Sequence, residues 1–386
     1  MVGTRKWLAL HGAACQVEMM QRIPLVPLAA LATVTVLCQS DAGACYWDYD
    51  TLAMEKRSFP GTLELITGKF LRHSDDFYRW RVTNRLAQLK DRPDELALYD
   101  DLAVAYDKLG QHREAIDTML AKSRRPGGDS NGLYETHANL GTFHLHAGEF
   151  EKGLEHIRKA IAINPDAHFG REVIQLRLVE YVMQQQARSA DRDQARISLP
   201  LGRDWVSEHS PVSYAEAESS VRGALDRFTR ETPEPTTPWI APLFEAQGFA
   251  RHVIKQGHGR DEAMRGVLGM MKFASHRSPI LLEALGDLLL WDYRVKESAK
   301  QLAARAYLEA AQEAGDPDSA ELYRVKAILA LVGQRNISLA KLERQFKTEL
   351  TQARKWFDAV AANERRWIRQ GKDPEAEFDR RYYRKR

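Results

Sequence analysis

Tyr99-x2-Leu102-Ala103-x2-Tyr106, followed by Gly110, Ala115 and Met119, returns 38 residues later as His137-x2-Leu140-Gly141-x2-His144, followed by Gly148, Gly153, Ile157, Ala160 and Pro165. The pattern has a mechanical reading. Leu102 and Leu140 fall where two helices of a pair meet, and the small Ala103 and Gly141 beside them let the helix axes approach. Gly110 and Gly148 end the first helix of each pair, where a positive φ is easiest for glycine. Asn164-Pro165 closes the second unit, because proline cannot continue a helix and restricts the residue before it.

The order large–Leu–small–aromatic, turn glycine, small–large–small and proline resembles the tetratricopeptide (TPR) repeat. That resemblance implies an all-α fold, a TPR-like α-solenoid of antiparallel helix pairs whose usual work is to hold another polypeptide. The residues beyond the usual repeat length fall in the loop from Arg124 to Gly132, where insertions are tolerated. Lys122 stands where a small residue is usual, and His137 and His144 replace aromatics. In such an array the concave wall comes from the first helix of each pair. The resemblance thus assigns a partner-binding groove to Asp100, Val104, Asp107 and Lys108, then Glu135, Asn139, Thr142 and His146. Asn139 fits the pattern of a carboxylate clamp, but Asp100 and Val104 replace the lysine and asparagine of the preceding repeat. Asp100 and Asp107 favour a basic or neutral partner segment.

The N-terminus reads as a leader. Arg22 precedes Ile23 to Leu37, fifteen residues without a charge, and Ala42-Gly43-Ala44 supplies a small-x-small exit. This is the form of a secretory signal peptide over residues 1–44, and the apolar run is short for a membrane span. Met19 and Met20 are alternative starts. Cys15 and Cys38 lie inside the leader, so the mature chain keeps Cys45 alone and has no internal disulfide. A cysteine at the first mature position is where a bacterial lipoprotein carries its lipid. Simple cleavage after Ala44 fits the site better, because a large aliphatic residue is missing three positions before Cys45.

The rest of the chain is helical by periodicity. Residues 45–92 read as an N-terminal cap or degenerate repeat, with apolar positions recurring from Leu63 to Leu71 and from Phe77 to Leu89. The two units and a capping helix from Arg171 to Gln186 occupy 93–187. Residues 188–240 form an irregular, proline-rich linker with one helix. A C-terminal helical domain spans 241–386. It contains a TPR-like pair around Leu285-Gly286 and Tyr307, a helix that starts at Asp316-Pro317, and a long amphipathic helix from Ser338 to Gln370. Leu339, Leu342, Phe346, Leu350, Trp356 and Phe357 face one way on that helix.

Net charge is +3 over 56 basic and 53 acidic side chains, with no basic face interleaved with aromatics, so nucleic acid is not an expected partner. His137, His144, His146, His156 and His168 cluster in sequence but follow no familiar ligand spacing, and they read as packing residues. No catalytic constellation, metal site or cofactor loop is expected. The sequence thus predicts a non-enzymatic protein–protein interaction scaffold, exported to the periplasm or secreted, binding a protein or peptide in the groove. The alternatives are an envelope lipoprotein anchored at Cys45 that assists assembly of a membrane or secretion complex, and an enzyme with an unrecognised site. The basic stretch Arg380 to Arg386 reads as a solvated tail or as a contact for an anionic surface.

Overall fold

The computed structural model describes residues 60–383 apart from 129–131, 166, 191–247, 292–296, 332–333 and 335–336. The leader, Cys45 and the proline-rich linker lie outside the described residues, as do the side chain of His168 and the last three residues. Among the described residues all regular structure is helical. The order is α1 (Thr62–Thr67), α2 (Asp75–Asp91), α3 (Leu96–Lys108), α4 (His112–Ser123), α5 (Leu133–His146), α6 (Phe150–Ile163) and α7 (Arg171–Ala190). It continues with α8 (Phe249–Lys255), α9 (Arg260–Phe273), α10 (Pro279–Leu289), α11 (Glu297–Glu313), α12 (Pro317–Ala330), α13 (Leu339–Arg369) and α14 (Pro374–Phe378). None of the helices among the described residues is long and apolar enough to cross a membrane.

Local signals place the helix ends. Gly110 and Gly148 follow α3 and α5 with φ of 75° and 77°, a region in which other residues are strained. Asp316 caps α12 by accepting from Ser319 N at 2.8 Å, with Pro317 in the first turn. Ser338 caps α13 through Lys341 N at 3.3 Å. Ser74 precedes α2 as its position in the sequence predicts, yet its hydroxyl does not cap the helix.

Successive helices pack on one another from α2 to α7 and from α9 to α12, and α7 packs on both α8 and α9. A single core joins Leu65, Ile66 and Phe70 to Ile174 and Leu178 of α7, then to Phe249, Leu285, Tyr307 and Leu350. The N-terminal segment and the C-terminal helices therefore share buried apolar surface. Helix α13 returns to α1 and α2. There the fully buried Glu364 accepts from His73 Nδ1 at 2.5 Å and from Ser74 N at 2.9 Å. Glu375 accepts from Arg81 Nε at 2.9 Å and from Arg85 Nη2 at 2.6 Å. On α13 the buried stripe runs Leu339, Leu342, Phe346, Leu350, Ala353, Val360, Ala361, Glu364 and Trp367. Trp356 and Phe357, expected on that stripe, are only half-buried. At helical spacing Ala353 and Val360 take the inward places, and Phe357 instead receives the Arg72 guanidinium 3.5 Å from its ring centre.

The closing contacts carry a pH sensitivity. His276 packs edge-on to Phe70 with ring centres 5.3 Å apart. Burial, then the nearby Arg72, Arg277 and Lys108, push its pKa from 6.5 down to about 3. The ring is neutral in the fold, whereas the unfolded chain takes up a proton below 6.5. Stability is therefore lost as pH falls from 6.5 towards 3, with a slope of up to about 1.4 kcal/mol per pH unit from this group. His276→Gln should flatten the fall in urea stability between pH 7 and 4; an unchanged slope would show that His276 is not held neutral.

Candidate functional site

Most of the residues assigned to a partner groove do not face an open surface. Asp100, Val104, Asp107, Asn139 and Thr142 are all buried. Asp100 receives both of its short contacts from Lys122 Nζ, 2.8 Å to each carboxylate oxygen, and Asn139 Nδ2 donates to it at 3.2 Å. Thr142 accepts from Gln175 Nε2 of α7 at 3.3 Å. Val104 packs in a core with Met119, Leu140, Phe143 and Phe273. Lys108, half-buried, donates to the carbonyls of Phe273 and, at 2.7 Å, of Ala274. Glu135 is half-buried, and His146 alone of the eight is exposed. The physical reason is that α7 and the end of α9 cover this face. The chain's own side chains and carbonyls supply the polar partners that a bound segment was expected to supply.

The arrangement also explains Lys122. It is 1% exposed, and its ammonium crosses from α4 to Asp100 on α3. The departure from a small residue thus has a partner, one that also engages Asn139 of α5. Burial lifts the Asp100 carboxyl from 3.8 to about 7, with Lys122 opposing the rise and Glu135 and Asp101 adding to it.

Five of the histidines sort into two groups. His137 and His156 share a hydrogen bond between Nδ1 atoms 2.9 Å apart, and His156 stacks on His144, which donates to Glu149 Oε2 at 2.7 Å. Burial, then the neighbouring His137 and His144, lower His156 to about 4. The second group was not legible as a cluster. Asp107 ends α3, His112 opens α4 and His146 ends α5. Asp107 Oδ1 accepts from His112 Nδ1 at 2.7 Å, and its Oδ2 accepts from His146 Nδ1 at 2.8 Å. The hydrogen bond to Asp107 raises the His112 pKa against the opposing effect of burial. A signal existed: Asp107 and His112 flank the turn at Gly110, and His146 lies 38 residues after Lys108.

A different surface is open. Two acids of α13 turn to neighbouring helices: Glu343 accepts from Arg324 at 3.1 Å, and Glu349 accepts from two nitrogens of Arg305 at 2.7 and 2.8 Å. Glu364 is held by His73. Arg344, Lys347, Arg354, Lys355, Arg366 and Arg369 are exposed. At 100° per residue Arg344, Lys355, Arg366 and Arg369 lie away from the buried stripe, Lys347 and Arg354 flank it, and the exposed Asp358 falls among them. Arg344 and Lys347 line a shallow depression with Thr348, Thr351 and Gln352.

Compared with known proteins, the chain matches no family model, and no curated protein sequence is significantly similar to it.

Proposed function

We propose that this chain is a non-enzymatic interaction scaffold, a TPR-like helical array exported from the cytoplasm, and that it holds an acidic polypeptide along the outer face of α13. The observation that carries this reading is the excess of exposed cations on α13. Its three glutamates are taken up in internal contacts and Arg365 pairs with Asp76, while Arg344, Lys347, Lys355 and Arg369 stay exposed and outnumber the exposed Asp358 along a helix of 31 residues, about 46 Å long. Exposed charges of one sign steer encounters and select partners of the opposite sign more than they stabilise the fold. The repeat motif supports a binding role, and the leader at residues 1–44 supports export. The face of α3 and α5 is less suited to a partner, because α7 and α9 already cover it.

The test is a crosslinking pull-down from the native envelope, comparing wild type with Arg344→Glu/Lys347→Glu/Lys355→Glu. The three side chains are exposed, so helicity and melting should stay within the range of ordinary surface changes. Capture of the acidic partner should fall at least about 10-fold, and the difference should shrink as salt rises above about 0.15 M, where screening acts over roughly 8 Å. Equal recovery of the same partners at low salt would exclude α13 as the binding surface.

A further inference from the structure

Three helix ends meet at one carboxylate. The Asp107 side chain is 1% exposed, while those of His112 and His146 are 32% and 31% exposed. Their ring centres lie 5.7 Å apart, tilted by 58°. One donor atom from each of the three residues lies within 4.8 Å of the other two.

We propose that Asp107, His112 and His146 form a binding site for a divalent transition-metal ion of the zinc type. The donor set points to that chemistry. Two imidazole nitrogens and one carboxylate oxygen suit zinc, cobalt or nickel, whereas calcium takes six to eight oxygens and magnesium keeps an octahedral oxygen shell. Size agrees as well. Bonds of about 2.0–2.2 Å at tetrahedral angles separate donor atoms by about 3.3 Å. The present separations, 2.7 Å from His112 Nδ1 to Asp107 Oδ1 and 2.8 Å from His146 Nδ1 to Asp107 Oδ2, run to different oxygens, so each needs to open by about half an ångström and the carboxylate must turn one oxygen towards both rings. The two histidine side chains are each about one-third exposed. In the metal-bound form each imidazole presents a bare Nδ1 to the ion and carries its proton on Nε2, so both rings remain neutral. The buried carboxylate anchors the ion from within. The fourth position opens towards solvent on the histidine side and takes a water, as sites with three protein ligands do.

Such an ion would join the end of α3, the start of α4 and the end of α5. These are the two helix pairs of the repeated motif, so the role that follows is to brace their junction. The site does not depend on the reading of α13 as a docking face.

Cobalt(II) is the probe, because tetrahedral coordination gives visible absorption bands. The full-length chain, stripped with chelator, is titrated at pH 7.5. One equivalent of cobalt should produce the bands, zinc should abolish them by displacement, and zinc should raise the melting temperature. His112→Gln/His146→Gln changes two partly exposed rings. It should keep the helical fold while weakening cobalt binding at least about 100-fold, since loss of a supporting group alone costs 10–100-fold. His137→Gln/His156→Gln should leave the bands intact. Absence of bands at millimolar cobalt would overturn the proposal. So would bands that persist in the His112/His146 variant or vanish in the His137/His156 variant, either of which would place the ion elsewhere. Asp107→Asn, compared by melting in the presence and absence of zinc, reports whether the carboxylate is a ligand: the zinc-dependent rise should be lost, and a full rise would remove Asp107 from the site.

Discussion

Lys122→Met is expected to destabilise the fold by about 3–5 kcal/mol, the range for breaking a buried ion pair by removing one partner. Lys122 and Asp100 are both buried, and the ammonium contacts each carboxylate oxygen at 2.8 Å. Without Lys122 the carboxylate keeps Asn139 but has no neighbouring cation among its named contacts. Protonation offers a partial escape, so the deficit should depend on pH. An acid whose folded pKa is raised binds its proton more tightly in the native state. Its cost to stability is absent below the unfolded value of 3.8 and grows as pH rises through the folded value, already about 7 with Lys122 present. Urea unfolding of Lys122→Met should therefore show a smaller loss at pH 5 than at pH 8. The double variant Asp100→Asn/Lys122→Met removes both charges while leaving an acceptor for Asn139. It should recover most of the loss, because replacing a buried pair by neutral groups of similar volume is often neutral. If the single variant is as stable as wild type at pH 8, the pair is not buried as described.

Gly141→Leu should cost about 1–3 kcal/mol or more through overpacking. A Cβ at Gly141 would come within 2.7 Å of Ile157 Cγ1, 3.2 Å of Ile157 N and 3.3 Å of the Gly153 carbonyl. The first contact is with a side chain that is itself fully buried. The other two are with the backbone of α6, which cannot move aside without separating the helices. Even Gly141→Ala should therefore lower the melting temperature. Ile157→Ala should rescue Gly141→Leu only in part, since it clears the side-chain contact and leaves the backbone ones. A Gly141→Leu variant that melts like wild type would remove Gly141 from the contact between α5 and α6.

How much was legible can be judged residue by residue. The small residue at Gly141, the turn glycines and the starts of α12 and α13 were all readable, because each depends on neighbours within about a turn. The burial of most groove residues was not legible, for the opposite reason. Helical spacing correctly puts Asp100 and Asp107 two turns apart on α3. It does not say which distant element covers that face, and Phe273 and Gln175 arrive from other parts of the chain. The inward stripe of α13 was read correctly as far as Leu350. Beyond it Ala353 and Val360 lie inward rather than the larger Trp356 and Phe357, because helical phase and the surface offered by the neighbouring helices outweigh side-chain size.

By itself, the sequence determined the all-helical class, the positions of several helix ends and the close approach within the second repeated pair. Those follow from propensity, capping and small-residue spacing, which act over a few residues. Only the tertiary structure decided that the face of α3 and α5 is covered, that Lys122 answers Asp100, and that Asp107 gathers His112 and His146. It alone brings α13 back to α1 and α2, where Glu364 reaches His73 across 291 residues. A buried charge is tolerated only where a partner of opposite charge or a hydrogen-bond donor is held against it, and that partner is set by the packing of distant helices rather than by local sequence.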